Sequence, residues 1–389
     1  MSRWGGEEGF GVSDNMTRRE MIRASAAAGA IALAGPAALE ALCPHAADAA
    51  SPLRMKEAMF YKPLGGRRIQ CLVCPKKCEV GDRERGFCGS KENRDGKYYT
   101  LVYGSAAALG IDPIEKKPLF HFLPEARALS FGTAGCNFDC KNCQNWALSQ
   151  ARPEQVESRA LPPAEVVKLA KTQGCKVIAY TYTEPVSFFE YMHDTARAGK
   201  AAGLRSVMIS NGYINRDPMV RVAEQLDAVK IDLKGITDDV YKRYCVGTLR
   251  PVLDTMVRVK NLGKWLEIVH LVIPGITDST ADITKLAKWV KQYIGADTPL
   301  HFSRFVPQYR MKNIPPTSQA TLERCHDLAV SAGLRFVYLG NVPGHKYEST
   351  YCPGCGKALV ERIGFQVRSN KIQKGRCPYC KTAIPGVWG

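Results

Sequence analysis

Acidic side chains are scarce against basic ones, 37 to 54, which leaves a net charge of +17. No run of five like charges and no RNA-recognition signature accompanies that excess, so nothing specific favours nucleic acid. A basic surface suits an anionic substrate, nucleic acid or an acidic partner protein, and equally a solvated surface with no partner. No uninterrupted apolar stretch is long enough for a stable membrane span; the one candidate, Ala24 to Leu42, is broken by Gly35, Pro36 and Glu40. The chain is neither short nor poor in apolar residues, as a disulfide-held scaffold would be. Its 389 residues at 45% apolar content allow one large domain with appendages.

Cysteine, by contrast, is abundant. Eleven of fifteen fall in three clusters, 71/74/78/88, 136/140/143 and 352/355/377/380, and C-x2-C spacing of this kind reads as metal binding. Cys43 stands apart in the N-terminal segment. Cys175, Cys245 and Cys325 lie on β- or α-patterned stretches, where cysteine serves as a small buried apolar residue. These three are left out of the chemistry.

The organising stretch is Cys136-Asn-Phe-Asp-Cys140-Lys-Asn-Cys143, directly after the apolar run Leu129 to Gly135. Three thiolates from one tight loop hold three irons of a four-iron cubane and leave the fourth open to a reacting group. That is the logic of a catalytic metal site, which keeps one position free. Part of a zinc site is the alternative reading of three close cysteines. The loop resembles the signature of radical S-adenosylmethionine (SAM) enzymes. The resemblance implies a 4Fe-4S cluster on Cys136, Cys140 and Cys143 with SAM chelated at the open iron. It also implies reductive cleavage of SAM to a 5′-deoxyadenosyl radical that abstracts hydrogen from a substrate.

Upstream, Thr17-Arg18-Arg19-Glu20-Met21-Ile22-Arg23 precedes the Ala-rich stretch, with a small-residue region near Ala47-Asp-Ala49. Residues 1–50 resemble a twin-arginine signal segment, which implies export of a folded, cofactor-loaded protein to the periplasm. The alternative is an unexported extension and a cytoplasmic protein, where SAM and low-potential electrons are supplied. Cys43 follows Glu40-Ala41-Leu42, a poor lipobox, so no lipid anchor is expected.

Residues 55–126 read as a small Cys-rich domain. Cys71, Cys74, Cys78 and Cys88 lie on Gly- and Pro-rich turns, which suit a closed zinc site, an auxiliary iron–sulfur cluster or disulfides. The segments Arg85-Gly-Phe-Cys88, Asp112-Pro-Ile-Glu-Lys-Lys-Pro-Leu-Phe-His121 and Cys136 to Asn145 resemble the radical SAM enzymes of the AmmeMemoRadiSam system. That family is related to the activating enzymes of pyruvate formate-lyase. The likeness runs from about Met55 to the C-terminus.

From 127 to 345 the chain alternates β-like stretches (128–133, 176–182, 205–210, 227–232, 266–272, 299–304, 335–339) with helical ones (163–173, 186–202, 217–226, 237–245, 250–262, 279–293, 316–332). Alternation predicts an α/β fold of parallel strands with helices outside. The resemblance makes it a partial (β/α)6 TIM-like radical SAM barrel. Chemistry in such barrels sits at C-terminal strand ends. The matching positions imply Glu184 for the SAM amino group, where Tyr182-Thr-Glu-Pro185 replaces a Gly-Gly-Glu motif, and Asn211 for the ribose. They also place Asp232 and Lys234 beside SAM and substrate, and Ile273-Pro-Gly-Ile276 against adenine. Asn142 stands where relatives carry an adenine-stacking aromatic, with Phe138 nearby. Each has a plainer account: a helix N-terminal carboxylate for Glu184, an Asn-Gly turn for Asn211, a strand-end salt bridge for Asp232 and Lys234. His301 and Arg304 face the cavity or serve as hydrogen-bonded structural residues.

Residues 346–389 carry Cys352-Pro-Gly-Cys355 and Cys377-Pro-Tyr-Cys380 about a strand-like stretch, Ala358 to Val367. Two such knuckles present four thiolates tetrahedrally, a zinc-ribbon-like tail whose metal replaces a core too small to stand alone. Its role is structural, or it contacts a partner protein or nucleic acid.

The sequence thus predicts a radical SAM enzyme, activating-enzyme-like, taking electrons from a protein such as flavodoxin or ferredoxin. Its substrate is a glycyl-radical-type or other protein partner, one of the same system among them. A modifier of peptide or nucleic acid is the second reading. A non-catalytic metal-binding or interaction protein is the third, disfavoured by polar groups on successive strand ends.

Overall fold

The computed structural model describes residues 55–389. The signal segment expected at 1–50 lies outside them. Eight strands form the central sheet: β1 (Ala108–Pro113), β2 (Arg127–Gly132), β3 (Val177–Tyr180), β4 (Arg205–Ser210), β5 (Ala228–Asp232), β6 (Trp265–Val272), β7 (Leu300–Arg304) and β8 (Val337–Gly340). Their spatial order is their chain order, with β1 at one edge and β8 at the other. Strands β2 to β8 are parallel, and β1 runs antiparallel to β2. Parallel strands covered on both faces read as near-continuous apolar runs, and every residue of β3 is buried.

Six crossovers join the seven parallel strands. They carry α1 (Pro163–Thr172), α2 (Phe189–Ala201), α3 (Arg216–Ala223), α4 (Arg250–Asn261), α5 (Thr280–Tyr293) and α6 (Gln319–Ser331). Ser279 and Ser318 cap α5 and α6, their hydroxyls accepting from the Asp282 and Thr321 amides at 3.1 Å. Between β5 and α4 a short helical turn, Asp238–Val240, runs into a π-helical turn, Tyr241–Cys245. It ends at Val246 in the left-handed region, φ 57°. Such π turns are rare and often lie beside functional sites.

Before β1 lie two small three-stranded sheets, one containing Lys91–Arg94 and the other Arg68–Cys71. A buried ion pair, Lys91 to Glu190 of α2, ties this region to the core, and the Met59 amide donates to the same carboxylate at 3.0 Å. After β8 comes a third small sheet, Thr350–Tyr351, Ala358–Ile363 and Gln366–Asn370. Its seat is the Asp112–His121 motif. The buried Arg362 guanidinium donates to the Phe120 carbonyl at 2.8 Å, and the Val387 amide to that of His121 at 2.7 Å. Phe120, Phe336, Tyr338, Leu359 and Ile384 close an apolar cluster there. No helix among the described residues is long and apolar enough to cross a membrane.

Candidate active site

The loop Cys136–Cys143 leaves β2 through Gly135, whose φ of 94° is open to glycine and strained for other residues. Backbone bonds hold the loop from two sides. The Asp139 and Lys141 amides donate to the carbonyls of Cys245 (3.1 Å) and Tyr244 (2.9 Å) on the π turn. The Arg310 amide donates to the Lys141 carbonyl at 3.0 Å, and its guanidinium pairs with Asp139 at 3.0 Å. Trp146 stacks on Tyr309, ring centroids 5.1 Å apart, so the segment after β7 lies over the loop.

Phe138 is 1% exposed and points down, against Tyr213 at 4.9 Å and Tyr241 at 6.1 Å. Gly247 leaves its ring room, since a Cβ there would lie 2.4 Å from the ring. Phe138 is therefore the loop's apolar anchor. Asn142 is half-buried, as are the three cysteines. The Phe138 amide donates to Cys136 Sγ at 3.4 Å, and Cys143 Sγ meets Ser149 Oγ at 3.2 Å. Burial pushes the Cys136 and Cys143 thiols up. Cys140 is raised first by a hydrogen bond with Cys245, then by burial. The sequence reading left Cys245 out of the chemistry; the fold sets its thiol against a loop cysteine.

Strand ends β3, β4 and β5 supply the polar surroundings. Glu184 is 3% exposed. Its Oε1 accepts from Ser210 Oγ (2.7 Å) and the Val186 amide (3.1 Å), its Oε2 from the Asn211 amide (2.8 Å). Its carboxyl is pushed up to about 7, foremost by burial, against those three donors. It also caps the 3-10 turn Pro185–Phe188, so the capping account of Glu184 holds as local geometry. Asn211 Nδ2 donates to Asn137 Oδ1 at 2.7 Å, and Asn137 Nδ2 to the Tyr213 carbonyl at 2.8 Å. Glu184, Asn211 and the cluster loop thus form one hydrogen-bonded lattice.

Asp232 lies between two ammonium groups, Lys230 and Lys234, the latter at 3.2 Å. Burial opposes its charge, but the two cations outweigh burial and hold its carboxyl below the usual carboxylate range. Lys234 is held protonated: burial opposes its charge, and Asp232, Cys140 and Cys245 outweigh that. The charge of Glu184 reaches Cys136, and that of Asp232 reaches Glu184. The structure therefore brings together Cys136, Cys140, Cys143, Glu184, Asn211, Asp232 and Lys234.

Other expected residues lie elsewhere. His301 is buried, meets Glu267 at 2.8 Å and stacks on Tyr338. Arg304 Nε donates to the Thr317 carbonyl at 2.9 Å. Ile273 packs with Phe305 and Met311. The tail cysteines form their own group, all four sulfurs within 4.8 Å of one another. Cys352 and Cys380 are 3.5 Å apart, Cys355 and Cys377 3.7 Å. A tetrahedron of ~2.3 Å metal–sulfur bonds has edges of about 3.8 Å, so this group fits one zinc-sized ion.

The loop's donor set fits an iron–sulfur cluster. Three unbridged thiols share one preformed loop, an amide points at one sulfur, and the Lys234 cation offsets thiolate charge.

Residues 131–287 match the model of the radical SAM superfamily. The chain is 44% identical over 332 residues to the uncharacterized protein MJ0808 of Methanocaldococcus jannaschii, covering 85% of this chain and 99% of that one. It is 21% identical over 230 residues to the pyruvate formate-lyase 1-activating enzyme of Escherichia coli K12, covering 55% of this chain and 93% of that one. Among solved structures, a domain of a pyruvate-formate lyase-activating enzyme from Bacteroides vulgatus aligns at 17% identity and TM-score 0.37, over 42% of this chain and 98% of that chain.

Proposed function

This chain belongs to the radical SAM superfamily of enzymes, and from that premise we propose that it abstracts hydrogen from a protein partner, in the manner of a glycyl-radical activase. The third reading, a non-catalytic metal or interaction protein, falls with the family assignment. One observation carries the site: the C-x3-C-x2-C loop is bonded through Asn137 and Asn211 to Glu184 at the ends of successive strands. When bound on Cys136, Cys140 and Cys143, a 4Fe-4S cluster supplies the single electron that cleaves SAM and so starts hydrogen abstraction.

The chain's own residues bind and orient. Glu184, on the amide and hydroxyl donors that fix its rotamer, offers a carboxylate to the SAM ammonium. Asn211 holds the loop through Asn137 and leaves the ribose to the turn it begins. Asp232 with Lys230 and Lys234 leaves one net positive charge beside Cys140, which offsets the charge buried with the thiolates. Phe138 and the strap around Tyr309 limit water beneath and above the loop.

The singly wound strand order supports a partial barrel. The motif segments support membership of the AmmeMemoRadiSam system, and zinc is the natural occupant of the tail. Flavodoxin or ferredoxin is the fitting electron donor. Export through the twin-arginine route, with cytoplasmic residence as the alternative, rests on the sequence of residues 1–50. Modification of a peptide or nucleic acid is the competing assignment, favoured only by the basic net charge. Anaerobic loading with iron and sulfide, then reductant and SAM, is expected to yield 5′-deoxyadenosine. Deuterium transfer into it from a labelled partner protein identifies the hydrogen donor; a well-loaded enzyme that leaves SAM intact refutes the assignment.

A further inference from the structure

A second cysteine group lies against the loop. Cys71 ends the strand Arg68–Cys71, Cys74 and Cys78 follow in the turn, and Cys88 precedes the strand Lys91–Arg94. None is in a disulfide, which removes one of the three options the spacing left open. The Cys71 amide donates to the Cys78 carbonyl at 2.9 Å, and the amide of Phe87, next to Cys88, donates to the Cys78 sulfur at 3.3 Å, so the group is tied together by its backbone. Amides aimed at sulfur are what a metal-bound thiolate accepts.

Position separates a relay cluster from a single structural zinc. A Cβ on Gly135 would lie 2.3 Å from the Cys88 carbonyl oxygen, so the two cysteine groups touch through their backbones. Three hydrogen bonds also connect them. Cys88 Sγ meets Ser90 Oγ at 3.2 Å, Ser90 Oγ donates to the Ser187 carbonyl at 2.8 Å, and Ser187 Oγ donates to the Gly135 carbonyl at 3.0 Å. The next residue is Cys136. The Lys76 ammonium sits in the field of Cys74, Cys78 and Cys136 together. Electron transfer through protein falls steeply with separation, so contact of this kind serves a relay. A structural zinc has no use for it.

We propose that Cys71, Cys74, Cys78 and Cys88 hold a second iron–sulfur cluster, fully ligated by protein, which passes single electrons to the cluster on Cys136, Cys140 and Cys143. The destination rests on the function proposed above; the second cluster does not. A low-potential one-electron carrier protein reduces the second cluster by one electron. That electron moves to the catalytic cluster, the second cluster returns to its oxidised state, and no bond or proton changes place.

The test uses the full chain with Cys136→Ala, Cys140→Ala and Cys143→Ala combined, reconstituted anaerobically. Iron and sulfide are expected to persist, with a reduced-cluster electron paramagnetic resonance signal that is lost when Cys74→Ala and Cys78→Ala are added. A triple variant that is folded by circular dichroism but holds no iron, or a second zinc beyond that of the tail, overturns the second cluster. For the relay, the Cys74→Ala/Cys78→Ala chain is mixed rapidly with a reduced flavodoxin-type donor. Fast reduction of the catalytic cluster should be lost while dithionite still reduces it; an unchanged rate overturns the relay. Iron kept in the triple variant beside an inactive wild-type chain supports the second cluster and counts only against the radical chemistry.

Discussion

Glu184 is a carboxyl buried beyond what its three donors offset. Its proton affinity, raised from 4.5 to about 7, means the folded chain keeps a proton that the unfolded chain has released between those values. Stability of the cluster-free chain should therefore fall as pH rises through that window and level off above it. Glu184→Gln should remove this part of the fall, read as urea midpoints at the two ends of the window. Phe138 gives a second test at this scale. Gly247→Ala puts a methyl 2.4 Å from its ring, and overpacking of this kind costs about 1–3 kcal/mol. The variant should unfold earlier and retain less iron per chain, because displacing Phe138 pulls on the Asp139 and Lys141 bonds. Iron content equal to wild type would show that the anchor is dispensable. The metal-ligand pattern and the acidic strand ends were readable from types and spacing. Phe138 was not, because a buried aromatic and a cofactor-facing one look alike in a single sequence. Neither was Cys245, a lone cysteine on a helical stretch whose neighbour across the fold no local signal reveals.

The strands and helices of the core were legible because each carries its own period or apolar run. All seven parallel strands lie where the apolar runs stand. β1 escaped notice because Gly110 and Pro113 interrupt it and its residues are half-buried without alternation. His301 was left open between the cavity and a structural bond for a related reason: its strand was known, but not the Glu267 carboxylate that meets it from the neighbouring strand. Element ends make the lattice around the loop, so Asn211→Ala should act beyond its own turn. It strands Asn137 Oδ1 and should cost about 1–3 kcal/mol. Slower iron uptake, followed by absorbance during reconstitution, is expected with it; normal uptake would assign the bond to stability alone.

Across the whole molecule, the tail is fastened to the core by buried groups. Arg362 is enclosed, with its Nε 3.9 Å from Glu115, and His121 Nδ1 meets the Pro385 carbonyl oxygen at 2.6 Å. Ending the chain after Gly340 should uncover Phe120, Phe336 and Tyr338 together and give an aggregating protein, seen by light scattering. Cys352→Ser with Cys377→Ser should lose the tail metal and lower the melting temperature while sparing the iron of the loop. Loss of loop iron in that variant would show that the tail is coupled to the site. None of this docking was readable from the sequence, which showed the four tail cysteines but not their seat on the Asp112–His121 motif.

The lattice through Asn137, Asn211 and Glu184 also bears on how the protein matures. A loop already immobilised by its neighbours meets the entropic cost of ordering during chain collapse. Iron insertion is then late chelation into a waiting cradle, and its removal should leave an empty vessel with the same contour.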